Sequence, residues 1–170
     1  MKNAYRLVSI KEIESKLAFK NFDCDVDALN DFLSRYAKKN DELGIGKTFV
    51  ALDENNQIAG YFTLATAQLS YNEIPEDYKR KLPKYPIPAL RIARLAVNKN
   101  FQGKGVGRWL LKQAFIKIIQ VSEVTGLHVI IVDAKESSKT FYEYYGFKKI
   151  MDKELSYFIL VDTVKKAIQA

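Results

Sequence analysis

The sequence predicts a mixed α/β fold (α/β or α+β class), in which helices flank a mixed central sheet within a single domain over residues 1–170. Short apolar runs of strand length alternate with stretches of helical periodicity. A glycine-rich turn follows one of these runs and opens a long predicted helix. Residues 128–132 form a continuous apolar run, which is typical of a strand buried on both faces. Such an order of elements folds into one layered structure.

The N-terminal part contains a predicted strand, a long predicted helix and a hairpin. Residues 5–10 have strand character, and residues 21–43 show the apolar spacing of a helix with Asp25 as its predicted N-cap. Residues 47–52 and 58–64 are predicted strands. The polar residues between them predict a hairpin turn.

The remaining elements surround one long helix. Residues 71–88 hold all 4 prolines and many charges, so an irregular insertion is predicted there. The elements that follow are a strand at 89–97, an amphipathic helix at 105–125, a strand at 128–132, a short helix at 137–145 stopped by Gly146, and a closing hairpin at 147–151 and 157–161. We expect parallel pairing of the two strands that the long helix connects.

Composition and charge limit the classes of function. The hydrophobic fraction of 48% and the charged fraction of 28% are those of an ordinary globular domain. The net charge of +7 favours an anionic partner, such as a phosphorylated cofactor, a nucleic acid or an acidic surface. A single cysteine, Cys24, excludes a disulfide framework and a cysteine-based zinc site, and it fits a reducing cytoplasm. We predict no signal peptide, no membrane span and no metal site.

The segment 95–108 leads from a predicted strand, through 3 glycines, into the long helix. The first amides of a helix lack acceptors and carry partial positive charge. Glycines let the backbone approach a ligand closely, and Lys104 and Arg108 add formal charge. The segment therefore predicts a phosphate or pyrophosphate site, with a tight turn as the simpler alternative. The Walker and dinucleotide-binding patterns are both absent.

The turn instead matches Q-x-x-G-x-G at residues 102–107, and here the chain resembles the GNAT superfamily of N-acetyltransferases. Three further segments match in order, namely RLAV at 94–97, VDA at 132–134 and FYEYYGF at 141–147. Four ordered matches are hard to obtain by chance. The resemblance covers about residues 47–160. It implies transfer of an acetyl group from acetyl-CoA, as cosubstrate, to a primary amine.

The resemblance also implies roles for individual residues. Tyr142 matches the tyrosine that protonates the leaving thiolate, although core packing is the simpler role of a tyrosine. The pantetheine arm is expected to pair with the backbone of Leu95, Ala96 and Val97. The residues expected to bind the pyrophosphate are Gln102, Gly103, Lys104, Gly105, Val106, Gly107 and Arg108.

The strand before the loop lacks the carboxylate that many relatives are expected to use as a base. It carries Arg91 and Arg94 instead, which we assign to substrate binding. Either arginine could be structural, paired with a carboxylate or a carbonyl. A lysine amine, with a pKa of about 10.4, needs a base, whereas an α-amino group at about 7.7–8.0 is partly neutral at pH 7. The strand therefore favours an α-amine acceptor, although water or a distant carboxylate could serve another amine.

The chain further resembles one subgroup, the GNAT toxins of bacterial toxin–antitoxin pairs, which acetylate the amino acid on charged tRNA. The matching segments are FDC at 22–24, LNDFL at 29–33, KTFV at 47–50, GYFTL at 60–64, RLAV at 94–97 and VDAK at 132–135. This resemblance implies an aminoacyl-tRNA acceptor, an antitoxin protein as partner and a cytoplasmic location, and it leaves a homodimer open. The positive net charge suits a tRNA backbone.

Two other functions stay open at this point. One is a stand-alone GNAT enzyme that acetylates a small amine or a peptide. The other is a non-catalytic module that binds acyl-CoA or RNA. Within the insertion, residues 78–81 combine a tyrosine with basic side chains and are a candidate for nucleic-acid contact or a solvated loop. Cys24 and His128 lack any motif context for catalysis.

Overall fold

A computed structural model of the chain describes residues 5–169. Its strands are β1 Arg6–Ser9, β2 Lys47–Leu52, β3 Ile58–Leu69, β4 Ile87–Val97, β5 Val129–Asp133, β6 Lys148–Lys149 and β7 Ser156–Leu160. They form one 7-stranded sheet in the order β1-β2-β3-β4-β5-β7-β6. The β4–β5 pair is parallel, whereas β1–β2, β2–β3, β5–β7 and β6–β7 are antiparallel. The predicted mixed sheet and its parallel crossover are confirmed.

The helices of the described residues are α1 Lys16–Lys20, α2 Asp27–Asp31, α3 Ala37–Leu43, α4 Glu76–Lys79, α5 Val106–Ser122, α6 Lys139–Tyr144 and α7 Val161–Gln169. Helices α1 and α7 were not predicted. Between α2 and α3 the chain forms a π-helical turn, Phe32–Tyr36, so the predicted helix is present but not regular. Within residues 5–169, no helix has the length and apolar character needed to cross a membrane.

The predicted N-cap at Asp25 is wrong. Asp25 has a left-handed backbone (φ 65°), and Val26 takes the N-cap position of α2 without a side-chain hydrogen bond. The Asp25 amide donates instead to Oδ1 of Asp23 at 2.8 Å. The sharp bend at Asp25 therefore belongs to the Asp23 turn, not to the helix.

The described chain divides into two compact units. The first comprises Met1–Ala65, described from residue 5, and Ala93–Ala114. Here β1, β2 and the start of β3 form an antiparallel meander in which Val50 lies opposite Val8 and Tyr61. The fully or almost fully buried side chains of this core include Ile10, Phe22, Phe32, Leu33, Val50, Ile58 and Tyr61.

The second unit comprises Thr66–Ile92 and Phe115–Ala170, described to residue 169. Its parallel ladder places Ala89 opposite Val129 and Ile92 opposite Val132. Its core includes Leu69, Ile74, Ile87, Val129, Ile131, Ile150 and Phe158. The predicted closing hairpin is confirmed by β6 and β7. The insertion is less irregular than predicted, because it contains α4 and a 3₁₀ turn at Tyr71–Glu73.

Candidate active site

The chain leaves β4 through a buried asparagine. Asn98 is 5% exposed, and its Nδ2 donates to the carbonyl of Ile58 at 3.0 Å while its amide donates to the carbonyl of Ala59 at 2.8 Å. Its Oδ1 accepts from the amide of Asn100 at 3.3 Å. These bonds fix the end of β4 against β3. Sequence reasoning did not identify Asn98, because its partners lie 40 residues earlier in the chain.

The loop after this turn needs glycine at two positions. Gly103 (φ 76°) and Gly105 (φ 82°) have left-handed backbones, which other L-residues adopt at a cost. A Cβ atom built at either position would have no heavy atom within 4 Å, so conformation rather than space demands glycine. Gln102 closes the loop, because its Nε2 donates to the carbonyl of Val97 at 3.1 Å. Residues 102–105 are all exposed, so an incoming ligand can reach the loop.

The first amides of α5 lie directly after this loop. The amide of Trp109 donates to the carbonyl of Gly105 at 3.0 Å. The amides of Val106, Gly107 and Arg108 precede it and have no intrahelical acceptor. They carry the positive end of the helix dipole. A 17-residue helix therefore begins at a glycine loop flanked by exposed cationic side chains, an arrangement that binds phosphate groups.

A third glycine, Gly60, sets the spacing between β3, β4 and α5. A Cβ atom at Gly60 would lie 2.6 Å from the carbonyl oxygen of Ala96 and 2.7 Å from Cδ1 of Leu110. No larger residue fits without moving the backbone. The sequence signal for this role is a glycine inside a predicted strand, which is a known sign of close backbone approach.

An ion pair ties the N-terminal segment to the start of the loop. Nζ of Lys99 lies 3.1 Å from Oδ2 of Asp23, and the Lys99 amide donates to the Asp23 carbonyl at 2.8 Å. The hydrogen bond from the Asp25 amide, then those from Lys99 and from the Asn30 side chain, lower the pKa of Asp23 to about 2. The FDC segment at 22–24 thus supports the turn that precedes the glycine loop.

The predicted pantetheine-binding residues lie beyond the ladder with β5. In the described part of the chain that ladder covers Ala89–Ile92, whereas β4 continues to Val97. Leu95 and Val97 are half-buried, and Ala96 is 5% exposed. This stretch therefore belongs to the first unit, next to the glycine loop in sequence.

The two arginines of β4 have different surroundings. The guanidinium carbon of Arg94 lies 3.6 Å from the centroid of the Phe32 ring. Arg91 forms an ion pair with Asp133, whose other oxygen accepts from Oγ of Ser156 at 2.9 Å. This partly exposed ion pair fits the structural alternative for Arg91, and its predicted role in substrate binding stays a prediction. No ion pair within residues 5–169 involves Arg94.

Tyr142 lies on α6 and is 5% exposed. Its ring makes edge contacts with Phe141 (centroids 5.2 Å apart) and Phe147 (5.4 Å). Burial raises the pKa of Tyr142 to about 12, so the phenol keeps its proton at neutral pH. Within the described residues its hydroxyl forms no hydrogen bond, which leaves the proton free for a ligand. The neighbouring Tyr144 is 81% exposed.

The structure groups the predicted site residues by unit. Arg94, the strand end 95–97 and the loop 102–108 lie in the first unit, where the contacts above hold them together. Arg91 and Tyr142 lie in the second unit.

Comparison with known proteins identifies the family. The model of the acetyltransferase (GNAT) domain matches residues 44–149, more than half of the chain. The chain is 29% identical over 129 residues to a tRNA-acetylating toxin of Mycobacterium tuberculosis, which covers 75% of this chain and 76% of the relative.

Solved structures share the fold. AtaT complexed with acetyl-methionyl-tRNAfMet superposes with a TM-score of 0.88 at 24% identity, over 96% of this chain and 99% of that one. A tyrosine-to-phenylalanine variant of the AtaT toxin, bound to the C-terminus of the antitoxin AtaR and acetyl-CoA, gives 0.81 at 22% identity, over 98% of each chain. The family match and the glycine loop at the start of α5 agree, and the chain belongs to the GNAT acetyltransferase family.

Proposed function

We propose that this chain is an acetyl-CoA-dependent N-acetyltransferase whose acceptor is the α-amino group of an aminoacyl-tRNA, and that it acts as the toxin of a toxin–antitoxin pair. Acetyl transfer follows from membership of the family. The observation that supports this acceptor is the sequence similarity to a tRNA-acetylating toxin. The similarity extends over about three quarters of both chains.

The glycine loop fits the pyrophosphate of coenzyme A. The amides of Val106, Gly107 and Arg108, together with the exposed backbone of residues 102–105, offer donors at the positive end of α5. Lys104 and Arg108 supply the charge that balances the phosphates. Bound there, acetyl-CoA would supply the acetyl thioester. The backbone of Leu95, Ala96 and Val97 would pair with its pantetheine arm.

Tyr142 is the proposed proton donor. Because burial raises its pKa to about 12, the proton stays on Oη across the physiological pH range. A phenol in this state can protonate the sulfur that leaves when the amine attacks, and it cannot act as a base. The ring contacts with Phe141 and Phe147 fix the direction of the Cα–Oη axis.

The lack of a base supports an α-amine acceptor. Strand β4, Ile87–Val97, contains no carboxylate, and Asp133 at the end of β5 is occupied by Arg91 and Ser156. An α-amino group is already partly neutral at pH 7 and needs no strong base. A lysine side chain would need one.

The proposal includes partners and a location. The antitoxin-bound relative supports an antitoxin protein as partner. The cytoplasmic location is proposed because charged tRNA, the proposed acceptor, is found there. The single domain over residues 1–170 and the homodimer stay predictions.

The decisive experiment is acetylation of a panel of aminoacyl-tRNAs with acetyl-CoA, read by mass spectrometry of the amino acid released from the tRNA. We expect at least one N-acetylated amino acid, and about 10²–10⁴-fold slower acetylation with Tyr142→Phe. Acetylation of a polyamine or peptide but of no charged tRNA would indicate a stand-alone enzyme. Binding of acetyl-CoA without thiol release from any acceptor would indicate a non-catalytic module.

A further inference from the structure

A cleft of about 330 Å³ opens in the insertion between β3 and β4, outside the residues assigned to acetyl transfer. The residues that line it are Ser70, Tyr71, Asn72, Lys84, Tyr85 and Pro86. Its volume lies at the lower end of the range for small-ligand pockets, about 300–1,000 Å³. The cleft therefore suits a ligand about the size of one nucleotide. It belongs to the same unit as Tyr142.

One wall of the cleft is held by a capping box. The Ser70 amide donates to Oε1 of Glu73 at 3.1 Å, and the Glu73 amide donates to the Ser70 carbonyl at 2.9 Å. The Glu73 carboxylate also pairs with Nζ of Lys153 at 2.6 Å, and its carbonyl accepts from the Met151 amide at 3.1 Å. This wall is therefore anchored to the loop between β6 and β7.

The opposite wall is stiffened by two prolines. Lys84 and Tyr85 lie between Pro83 and Pro86. Proline fixes its own φ and restricts the residue before it, so Tyr85 has few backbone conformations available. A wall that is already ordered loses little entropy when a ligand binds.

The side chains of the cleft combine aromatic rings with positive charge. Tyr85 is 64% exposed, so much of its ring is open to a ligand. Nζ of Lys79 lies 5.0 Å from the centroid of the Tyr71 ring and 3.0 Å from Glu76. By contrast, no ion pair within residues 5–169 involves Lys84. The cleft thus offers an open ring for stacking and an uncompensated ammonium beside it.

The candidate nucleic-acid contact at residues 78–81 lies in the same insertion. Tyr78 is half-buried and packs edge-to-face against Phe158, with centroids 5.2 Å apart, so its ring is less open than that of Tyr85. The basic neighbours Arg80 and Lys81 are exposed, as are Lys84 and Tyr85. The aromatic group that accompanies these cations is therefore Tyr85.

We propose that this cleft binds one unpaired nucleotide of the acceptor RNA, with the base stacked on Tyr85 and a backbone phosphate on Lys84. The proposal rests on the aminoacyl-tRNA acceptor proposed above and deepens it. Base stacking on aromatic rings and phosphate contacts from lysine are the two general elements of single-strand recognition. Asn72 and Ser70 supply hydrogen-bonding groups at the base edge. An acidic peptide would engage Lys84 but would gain nothing from the Tyr85 ring.

The test measures binding of the full chain to uncharged tRNA and to the same tRNA without its unpaired 3′ nucleotides, as a function of salt. Tyr85→Leu should weaken binding of intact tRNA about 5- to 150-fold with an unchanged salt slope, because one stacking contact is lost. Tyr85→Phe, which keeps the ring, should bind like the unaltered chain. Lys84→Gln should reduce the slope of log K against log salt by about 0.7, the value for one phosphate of a single strand. The tRNA without its unpaired 3′ nucleotides should bind the unaltered chain and the Tyr85→Leu variant equally.

The matched control for Lys84→Gln is Lys166→Gln, which changes an exposed lysine outside the cleft and should leave tRNA affinity unchanged. Tyr85→Phe is the matched control for Tyr85→Leu, because it keeps the ring. If Tyr85→Leu and the unaltered chain bound tRNA with equal affinity, the proposed nucleotide binding in the cleft would be overturned, even if charged tRNA is acetylated. The proposal would also be overturned if polyglutamate displaced tRNA equally well from the unaltered chain and from Tyr85→Leu, because the surface would then bind any polyanion. If no charged tRNA is acetylated but the Tyr85 and Lys84 effects appear, the cleft stands and the acceptor proposal fails.

Discussion

Arg94 stacks on Phe32, with its guanidinium carbon 3.6 Å from the ring centroid. Phe32 is 5% exposed and begins the π-helical turn Phe32–Tyr36. Such turns occur often at functional sites. Stacking covers one face of the guanidinium and leaves the N–H groups at its edge available as donors. Because Arg91 is neutralised by Asp133, Arg94 is the arginine of β4 suited to an anionic substrate.

Arg94→Lys should therefore lower kcat/KM for a charged tRNA by about 10-fold or more, since hydrogen bonds from a charged donor contribute about 1.5–3 kcal/mol. Lysine keeps the charge but lacks the planar fork and the stacking face. The matched change is Arg91→Lys, which can keep the ion pair with Asp133 and should have a small effect. The measurement is kcat/KM with charged tRNA and with an amino acid ester. An equal loss for both substrates would place Arg94 in the fold rather than in tRNA binding.

The glycine loop allows a charge test with a built-in backbone control. Gly105 has a φ of 82°, so Gly105→Ala adds strain of about 1 kcal/mol without adding charge. Gly105→Asp adds similar strain and a negative charge beside the phosphate-binding amides. Acetyl-CoA at 100 times its Kd should stabilise the unaltered chain by about 2.7 kcal/mol, seen as a rise in Tm. The Asp variant should lose this rise and the Ala variant should retain most of it. If acetyl-CoA raised the Tm of Gly105→Asp as much as that of the unaltered chain, the loop would not be part of the cofactor site.

The sequence was sufficient for the elements with strong local signals. The apolar run at 128–132 and the glycine turn before α5 are readable because strand burial and helix initiation depend on neighbouring residues. Helix α1 has only 5 residues, too few for periodicity to appear. Helix α7 follows β7 without a break, so its start carries no turn signal.

The site was predicted less completely than the fold. The sequence motifs predict roles for Tyr142 and for the glycine loop, and these roles stay predictions. Asn98, Gly60 and the Asp23–Lys99 pair support that loop through partners 36 to 76 residues away in sequence. A single sequence does not show which residues that are far apart along the chain lie in contact. The left-handed backbone at Asp25 has a local cause instead, because the Asp25 amide donates to Oδ1 of Asp23, and this turn competes with the predicted helix N-cap.

Tyr142→Phe should lower kcat by about 10²–10⁴-fold, the usual contribution of an acid or base. The phenyl ring keeps the contacts with Phe141 and Phe147, so the fold and the Kd for acetyl-CoA should change little. Tyr145→Phe is the matched control, because Tyr145 also packs on Phe141 (centroids 5.0 Å apart) and has no proposed role in proton transfer. Near-normal turnover in the Tyr142 variant would assign the proton to another donor.

The unaltered chain and the Tyr142→Phe variant also test the pKa of Tyr142. Burial raises that pKa from 10.0 to about 12, so the folded chain holds the proton more tightly than the unfolded chain. The contribution of the protonated phenol to the free energy of unfolding is fully present below pH 10 and is lost as the pH rises towards 12. The free energy of unfolding of the unaltered chain, relative to Tyr142→Phe, should therefore fall by up to about 1.4 kcal/mol per pH unit in this window. Urea titrations at several pH values measure it, and a constant difference would contradict the burial effect.

Asp23→Asn tests whether the FDC segment supports the loop. The change removes the ion pair with Lys99, which lies 3.1 Å away, and leaves a side chain of the same size. The pair is solvent-exposed, so we expect only a few-fold rise in the Kd for acetyl-CoA, with kcat at saturation unchanged. Asp162→Asn, which breaks an exposed pair with Lys166 on α7, is the matched control and should leave the Kd unaltered. The pKa of Asp23 is lowered to about 2, so its contribution to stability is present above pH 4 and is lost as the pH falls towards 2. The stability difference between the unaltered chain and Asp23→Asn should therefore shrink over this range. If the Kd is the same in both chains, the ion pair stabilises the N-terminal segment alone and does not shape the loop.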